Sequence, residues 1–303
     1  MRSYTETFLQ YGVALLGPGW AGLWTPESKD GEFEGSYVRR FASEARVSDV
    51  LVLRNGTRTI IAIGLVASAY SFEHAFDDVN GWELQHARRV RWCRLPQEHQ
   101  FGRAVFGGNP ARFSRVWDQE VLDFAERFVN SPPTAWQTVP LPDLPVTEAP
   151  LVEVPDPLAN LVAQARDLQP LYWNQDRFGE RPSEDEMIVH FVVPLLRGLG
   201  WPVEQIAVKW RNIDVAVFRA LPRTAESCRF VIEAKRFGDG IEGAREQAKR
   251  YVEMLGLPRD VLVTDGIRYR MYSADRDFEP VAYANLAQLK SSSADLFARV
   301  QRP

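Results

Sequence analysis

Asn212-Ile213-Asp214-Val215-Ala216-Val217-Phe218, followed by Phe230-Val231-Ile232-Glu233-Ala234-Lys235, decides the fold of the second half of the chain. Both runs are apolar and rich in β-branched residues, which suits buried strands. Side chains alternate along a strand, so Glu233 and Lys235 share one face while Ile232 and Ala234 take the other. Charge in such a strand is costly unless it is paired or holds an ion. Asp214 inside one run, with Glu233 and Lys235 ending the next, makes sense if the carboxylates hold a divalent cation and the ammonium faces a phosphate. Two oxygen ligands plus water and a substrate phosphate suit Mg²⁺, with Mn²⁺ as a substitute. Such a metal lowers the pKa of a bound water, and the lysine orients or helps activate that water. The plain structural alternative is a surface ion pair between Glu233 and Lys235, with Asp214 ending a turn.

Outward from these runs the pattern is α/β. A helix is expected from about Glu184 to Gly198, strands near Gln205–Lys209, Ile213–Phe218 and Phe230–Lys235, and a helix from about Ile241 to Leu255. Two more strands are expected at Asp260–Val263 and Tyr269–Tyr272, and a last helix near Leu286–Val300. Ser183-Glu184-Asp185-Glu186 opens the first helix, which runs into Val193-Pro194-Leu195-Leu196-Arg197-Gly198-Leu199-Gly200-Trp201.

With the Asp214 strand, the Glu233-Ala234-Lys235 strand and Gln247 to Tyr251 on the next helix, this order resembles the PD-(D/E)xK nuclease superfamily. The closest likeness is to the N-terminal nuclease domain of type I restriction R subunits, over Pro182 to Tyr272. The resemblance implies a mixed central sheet flanked by helices and a catalytic set of Asp214, Glu233, Lys235, Glu184 and Gln247. It also implies Mg²⁺ held by Asp214, Glu233 and Glu184, and hydrolysis of nucleic acid by water with no covalent intermediate. Ser183 and Glu186 have the spacing of a capping box, a competing structural role for Glu186. Tyr251 lies four residues from Gln247 and shares its helix face, as a site residue or as packing. The family's proline before the first aspartate is replaced by Asn212-Ile213.

The first half reads as a small, mostly-β domain. Val47–Leu53 leads through Arg54-Asn55-Gly56-Thr57 into Thr59–Val66, and Asn-Gly between β-branched runs is a strong hairpin signal. A strand is expected at Arg89–Leu95, with Val90 and Trp92 on one face and Arg89, Arg91 and Cys93 on the other. Helices are expected at Ser36–Ala45 and Gln119–Val129. Gly17-Pro18-Gly19-Trp20-Ala21-Gly22 matches GxGxxG, but Trp24–Gly31 is loop sequence, whereas a dinucleotide loop opens directly into a helix.

The run from Val47 to Tyr70, together with Trp82–Trp92, resembles the PUA-like superfamily, particularly its EVE and YTH branches, over about Tyr11 to Trp117. That likeness implies a partly closed barrel holding an extruded modified base in an aromatic pocket, where stacking on rings replaces stacking in the duplex. The candidates are Trp20, Trp24, Tyr70 and Trp82, with core or rim packing as the alternative for each. Trp92 alternates with Val90 and reads as core. Arg88, Arg89 and Arg91, with Arg94, suit nucleic-acid backbone contacts or a solvated strand face.

The two readings meet at a proline-rich segment, with eight prolines between Ser131 and Pro157. It reads as a stiff linker between a domain at 1–130 and one at 158–303. The 303 residues, 45% hydrophobic and 25% charged, suit two globular domains. A net charge of −4 argues against coating nucleic acid by bulk electrostatics, though not against a local basic groove. Cys93 and Cys228 offer neither a disulfide framework nor a zinc ribbon, and the four histidines lack metal-ligand spacing. No apolar stretch reaches membrane length, so a cytoplasmic protein with no membrane partner is expected.

Together the halves are similar to a modification-dependent restriction endonuclease. The expected substrate is double-stranded DNA with modified bases, modified cytosine above all, cut in defence against invading DNA. Since each chain carries one active site, a homodimer is expected at least when both strands are cut. Hydrolysis of RNA or of structured or damaged DNA, and an inert nucleic-acid-binding adaptor, are the rival readings.

Overall fold

A computed structural model of the chain describes residues 2–303 apart from 34, 35, 80, 108–112, 138, 139, 152, 239, 240, 242–248, 251, 254, 255 and 257–259. At 2, 3, 20, 32, 135, 137 and 175 it describes the backbone alone. The chain divides into two compact units, Met1–Thr147 and Glu148–Pro303.

The first unit is a curled half-barrel. Helix α1 (Arg2–Tyr11) precedes strand β1 (Val13–Leu16), followed by β2 (Val50–Asn55), β3 (Thr59–Val66), the short β4 (Ser71–Phe72), β5 (His86–Gln100) and helix α2 (Gln119–Asn130). The sheet order is β1-β5-β3-β2, with β4 also on β5. Strand β5 is the spine. Its first residues pair with β1, from Val13↔Arg89 to Leu16↔His86, and the rest pairs with β3 from Val66↔Val90 to Thr59↔Gln100. The hairpin at Asn55-Gly56 forms, with Asn55↔Thr59 as its last pair and Gly56 in the left-handed region at φ 65°. Helix α1 lies outside the sequence reading, and β5 runs well beyond the expected Arg89–Leu95.

Two glycines of the GxGxxG stretch, Gly17 and Gly19, have a packing cause. A Cβ on Gly17 would meet the Glu83 carbonyl at 2.6 Å, and one on Gly19 would run into the Gln85 carboxamide. The segment turns into a single 3₁₀ turn, Gly19–Ala21, so it has no helix N-terminus to offer a phosphate.

The second unit is a six-stranded mixed sheet with helices. Helix α3 (Asp156–Trp173) is followed by α4 (Glu184–Met187), which widens into a π segment (Ile188–Val192) and continues as α5 (Val193–Gly198). The widening precedes Pro194, whose ring removes a helical donor. Then come β6 (Ile206–Trp210), β7 (Ile213–Phe218), β8 (Cys228–Ala234), β9 (Asp260–Thr264), β10 (Arg268–Ser273), β11 (Glu279–Asn285) and α6 (Ser293–Val300). The order is β11-β10-β9-β8-β7-β6, antiparallel except for the parallel pair β8–β9. Strand β11 is absent from the sequence reading.

Alternation sorts the sheet's side chains into two cores. Val215, Val217, Phe230 and Ile232 join α3, α5 and α6 in the larger one. Ala216, Phe218, Val231 and Val263 form the smaller one on the opposite face. Asp214 and Glu233 continue the second of these faces at the strand ends.

The proline-rich segment is tied down at both ends, each to its own unit. Pro142 accepts a hydrogen bond from Arg89 through its carbonyl, and Leu144 packs beside Val13, Phe76 and Ala87 in the first unit. In the second, Leu151 N–H donates to the Leu289 carbonyl at 3.1 Å, and the Glu148 carboxylate accepts from Ser291 and Ser292. Among the described residues no helix is long and apolar enough to cross a membrane.

Candidate carboxylate and lysine site

Strands β7 and β8 pair from Phe218↔Cys228 to Val215↔Ile232 and then part. One step further along that register Asp214 faces Glu233. The Asp214 side chain fills the gap, since its Oδ2 accepts from Ala234 N–H at 2.8 Å and so satisfies a backbone donor that the ladder leaves behind. Both carboxylates are buried, at 8% and 3% exposure. Buried charge needs a counter-charge, and each has one. Lys209 Nζ donates to Asp214 Oδ1 at 2.8 Å, and Lys235 Nζ to Glu233 Oε1 at 2.5 Å. Lys235 is anchored from behind, because its N–H donates to the Thr264 carbonyl of β9 at 2.7 Å.

Lys209 is a site residue that the sequence reading passes over. The two-residue loop Arg211-Asn212 joins β6 to β7 with Trp210↔Ile213 as its closing pair. Counting back one position puts Lys209 opposite Asp214, so the hairpin arithmetic carries the signal. The ammonium also reaches Asp185 Oδ1 at 3.3 Å. Hydrogen bonding to Asp214 raises the Lys209 pKa above its ordinary value.

Of the expected helix carboxylates, Glu186 serves the capping box. Its carboxylate accepts from Ser183 N–H at 2.8 Å and its own N–H donates to Ser183 Oγ, which holds its pKa below the ordinary value. Glu184 is half-buried in the first turn of α4, and its carboxylate makes no hydrogen bond or ion pair among the described residues. Gln247 and Tyr251 lie outside the described residues.

Two opposed carboxylates of this kind fit a hard divalent cation such as Mg²⁺, which takes one or two protein carboxylates and leaves its other positions to water and substrate. Among the described residues no three His, Cys, Asp or Glu side chains are grouped to hold a metal. Asp214 and Glu233 are the two buried carboxylates that could hold such an ion.

In the first unit, Tyr70 and Trp24 meet edge to face with ring centroids 6.4 Å apart. Trp24 N–H donates to the Tyr70 hydroxyl at 3.1 Å, and that hydroxyl is 2.8 Å from His86 Nδ1. His86 Nε2 lies 3.0 Å from the Pro18 carbonyl, so Nε2 carries the proton and Tyr70 donates to Nδ1. Burial lowers the His86 pKa and raises that of Tyr70. The Trp24 indole N–H is buried without a partner.

Among the described residues no ring contact joins Trp82 to this pair. It packs edge to face on Tyr4, at 6.3 Å, and lines a largely apolar cleft of about 1150 Å³ with Leu15, Leu16, Val52, Trp117 and Leu122. That cleft touches β1 and β2, the two end strands of the half-barrel, and neither Trp24 nor Tyr70 lines it. The Trp20 side chain lies outside the described residues.

The arginine cluster of β5 separates by face. Arg88 is 3% exposed and donates to the carbonyls of Phe41 at 2.7 Å, Ala42 at 2.8 Å and Ser68 at 3.1 Å. It is an internal brace, a correction to its reading as a nucleic-acid backbone contact. Alternation turned it toward the side of Val90, which the helical turn Arg40–Glu44 covers. Arg89 and Arg91 point the other way and are half-buried, with Arg89 donating to the carbonyls of Tyr11 and Pro142.

Residues 24–109, all within the first unit, match a family described as a domain of unknown function (DUF8426). The matched span begins at Trp24 and takes in the β2–β3 hairpin and β5. No curated protein and no solved structure matches the chain.

Proposed function

We propose that the chain is a metal-dependent endonuclease that hydrolyses phosphodiester bonds of DNA carrying modified bases, with the second unit cutting and the first unit reading. The observation that carries this reading is the buried pair Asp214 and Glu233, opposed where β7 and β8 part and each held by a lysine. Burying two carboxylates side by side opposes folding unless cations are supplied, and a site of that kind is useful where a cation and a phosphate must meet. Bound there, Mg²⁺ or Mn²⁺ would supply an activated water and charge stabilisation at the scissile phosphate. Asp214 and Glu233 would bind it, and Lys235, fixed to β9 by its own N–H, would orient the attacking water. The chain's own strands hold these groups in place before substrate arrives.

In the first unit the half-buried Trp24–Tyr70 pair, packed against the core of β1 and β5, supports the reader assignment through the ring surface it leaves uncovered. A flipped base could stack on that surface. Arg89 and Arg91 are the remaining candidates for phosphate contacts. The role we propose is restriction of modified DNA, with two chains meeting, at least transiently, for a double-strand cut.

The test is incubation of the full chain with Mg²⁺ or Mn²⁺ and matched duplexes containing cytosine, 5-methylcytosine or 5-hydroxymethylcytosine. Cleavage of modified duplexes alone, lost in Lys235→Ala with binding spared, is the expected result. Cleavage indifferent to modification would remove the reader. Cleavage of RNA alone would replace the substrate, and no cleavage of either would remove the nuclease.

A further inference from the structure

Lys209 stands out in the second unit because its conformation is costly and its partners are the site's own. Its φ is 54°, in the left-handed region, although it lies within β6 and outside the Arg211-Asn212 loop. Left-handed backbone is expected at Arg211 and Asn212, at φ 51° and 65°, because a two-residue hairpin loop of this kind needs positive φ at both positions. Nothing in the turn asks it of Lys209. Strain of this kind persists where surrounding contacts over-determine the conformation. Here the contacts are Asp214 Oδ1 at 2.8 Å and Asp185 Oδ1 at 3.3 Å.

The two lysines of the site differ in freedom. The Lys235 side chain is 22% exposed and its backbone is paired to β9, whereas the Lys209 side chain is 50% exposed on the outermost strand of the sheet. Asp185, the second partner of Lys209, is 76% exposed and close to solvent. A divalent cation that takes Asp214 competes most directly for the oxygen Lys209 now holds, because the other oxygen already accepts from Ala234 N–H.

We propose that Lys209 is the exchangeable counter-cation of this site. Its ammonium neutralises Asp214 when no metal is bound and moves away when a divalent cation takes Asp214 Oδ1. The displaced ammonium then turns to the phosphate of the incoming nucleic acid, with Asp185 as its resting partner on the way. The proposal rests on the reading of Asp214 and Glu233 as cation ligands. It adds a competition that reading does not contain: metal affinity in the absence of substrate is set partly by the cost of displacing Lys209.

Mn²⁺ binding to the full chain without nucleic acid, measured by calorimetry and by loss of the free-ion paramagnetic resonance signal, tests it. Lys209→Met is expected to bind Mn²⁺ about 3- to 10-fold more tightly than the wild type, since nothing has to be displaced. Lys29→Met, which removes the same charge from the first unit, is expected to leave the affinity unchanged. Equal affinity in the wild type and Lys209→Met, or an equal gain in Lys29→Met, would overturn the role of Lys209 and leave the metal site standing. Stoichiometric binding that survives Asp214→Asn, or no stoichiometric binding in any variant, would overturn the metal reading and this inference with it. If Lys209→Met fails to fold, Lys209→Gln keeps a hydrogen-bond donor for Asp214 while discarding the charge, and the same gain is expected.

Discussion

Arg88 in the first unit and Lys209 in the second are both strand cations that donate to oxygen acceptors, and they end in opposite situations, the first buried and the second half-exposed. Arg88 gives its guanidinium to the carbonyls of Phe41, Ala42 and Ser68, fixed acceptors of the backbone. Lys209 gives its ammonium to two carboxylates that another cation can take over. A buried cation satisfied by neutral backbone is architecture, because removing it leaves acceptors stranded. A half-exposed cation satisfied by carboxylates at the margin of a sheet leaves a site behind when it moves.

The widest separation of the two regions should come from cleavage assays. Asp214→Asn and Glu233→Gln each keep the side-chain volume and remove a charge that a metal and a phosphate would use. Each is expected to lower the cleavage rate by about 10²–10³-fold or more, the scale of losing one preorganised electrostatic group. Thermal unfolding should change little in Asp214→Asn, because the new carboxamide oxygen can still accept from Ala234 N–H. Full activity in either variant would show that these carboxylates, like Arg88, serve the fold.

Arg88→Met should do the reverse. It leaves three carbonyl acceptors without their donor and removes a cation held 5.8 Å from the Phe41 ring, so a loss of about 3 kcal/mol or more is expected in the urea transition of the first unit. Arg94→Ala, on the same strand but exposed and paired with Glu6 at the surface, should cost within about 0.5 kcal/mol. Similar losses in the two variants would mean that the internal bracing of Arg88 contributes little.

These contrasts mark where sequence reasoning stops. The strands of Asp214 and Glu233 are legible because apolar β-branched runs of that length have few alternatives, and the Asn55-Gly56 turn because positive φ favours Gly at position 56. Strand β11 is not, since Glu279-Pro280 opens it and its first residues are exposed, which leaves no apolar alternation to detect. Alternation gives the parity of Arg88 and Arg89 but not which face will be covered, and the cover comes from residues 40–44, far off in sequence. The opposition of Lys209 and Asp214 follows from a two-residue loop, yet Arg-Asn is an uncommon pair for one, so the loop itself is hard to read. For Trp24, Tyr70 and Trp82 the sequence offers rings without their partners. Only the fold separates the Trp24–Tyr70–His86 network from Trp82 in its cleft.

Acid should act on the first unit through His86. Burial holds His86 below its ordinary value of 6.5, so folding favours the neutral ring. Its stabilising contribution is therefore complete above about pH 6.5 and is lost as pH falls from there through the folded-state value, at about 1.4 kcal/mol per unit of difference. The first unit should lose stability on acidification across that window, by denaturant titration at stepped pH, and His86→Gln should flatten the dependence. An unchanged slope in the variant would assign the acid sensitivity to other groups.

The smallest expected effect tests the division of labour at the start of α4. Ser183 and Glu186 close a reciprocal capping box, which accounts for both without reference to chemistry. Ser183→Ala should cost about 1 kcal/mol in the second unit, and Glu186→Gln, which can still accept from Ser183 N–H, should cost less. Glu184→Gln removes a carboxylate with no partner among the described residues, so its stability should stay within about 0.5 kcal/mol of the wild type. Any effect of Glu184→Gln must then appear in Mn²⁺ affinity or cleavage. A drop there with stability intact would make Glu184 a third ligand, joining Asp214 and Glu233. No change in either would leave the helix start as architecture, on the same side of the comparison as Arg88.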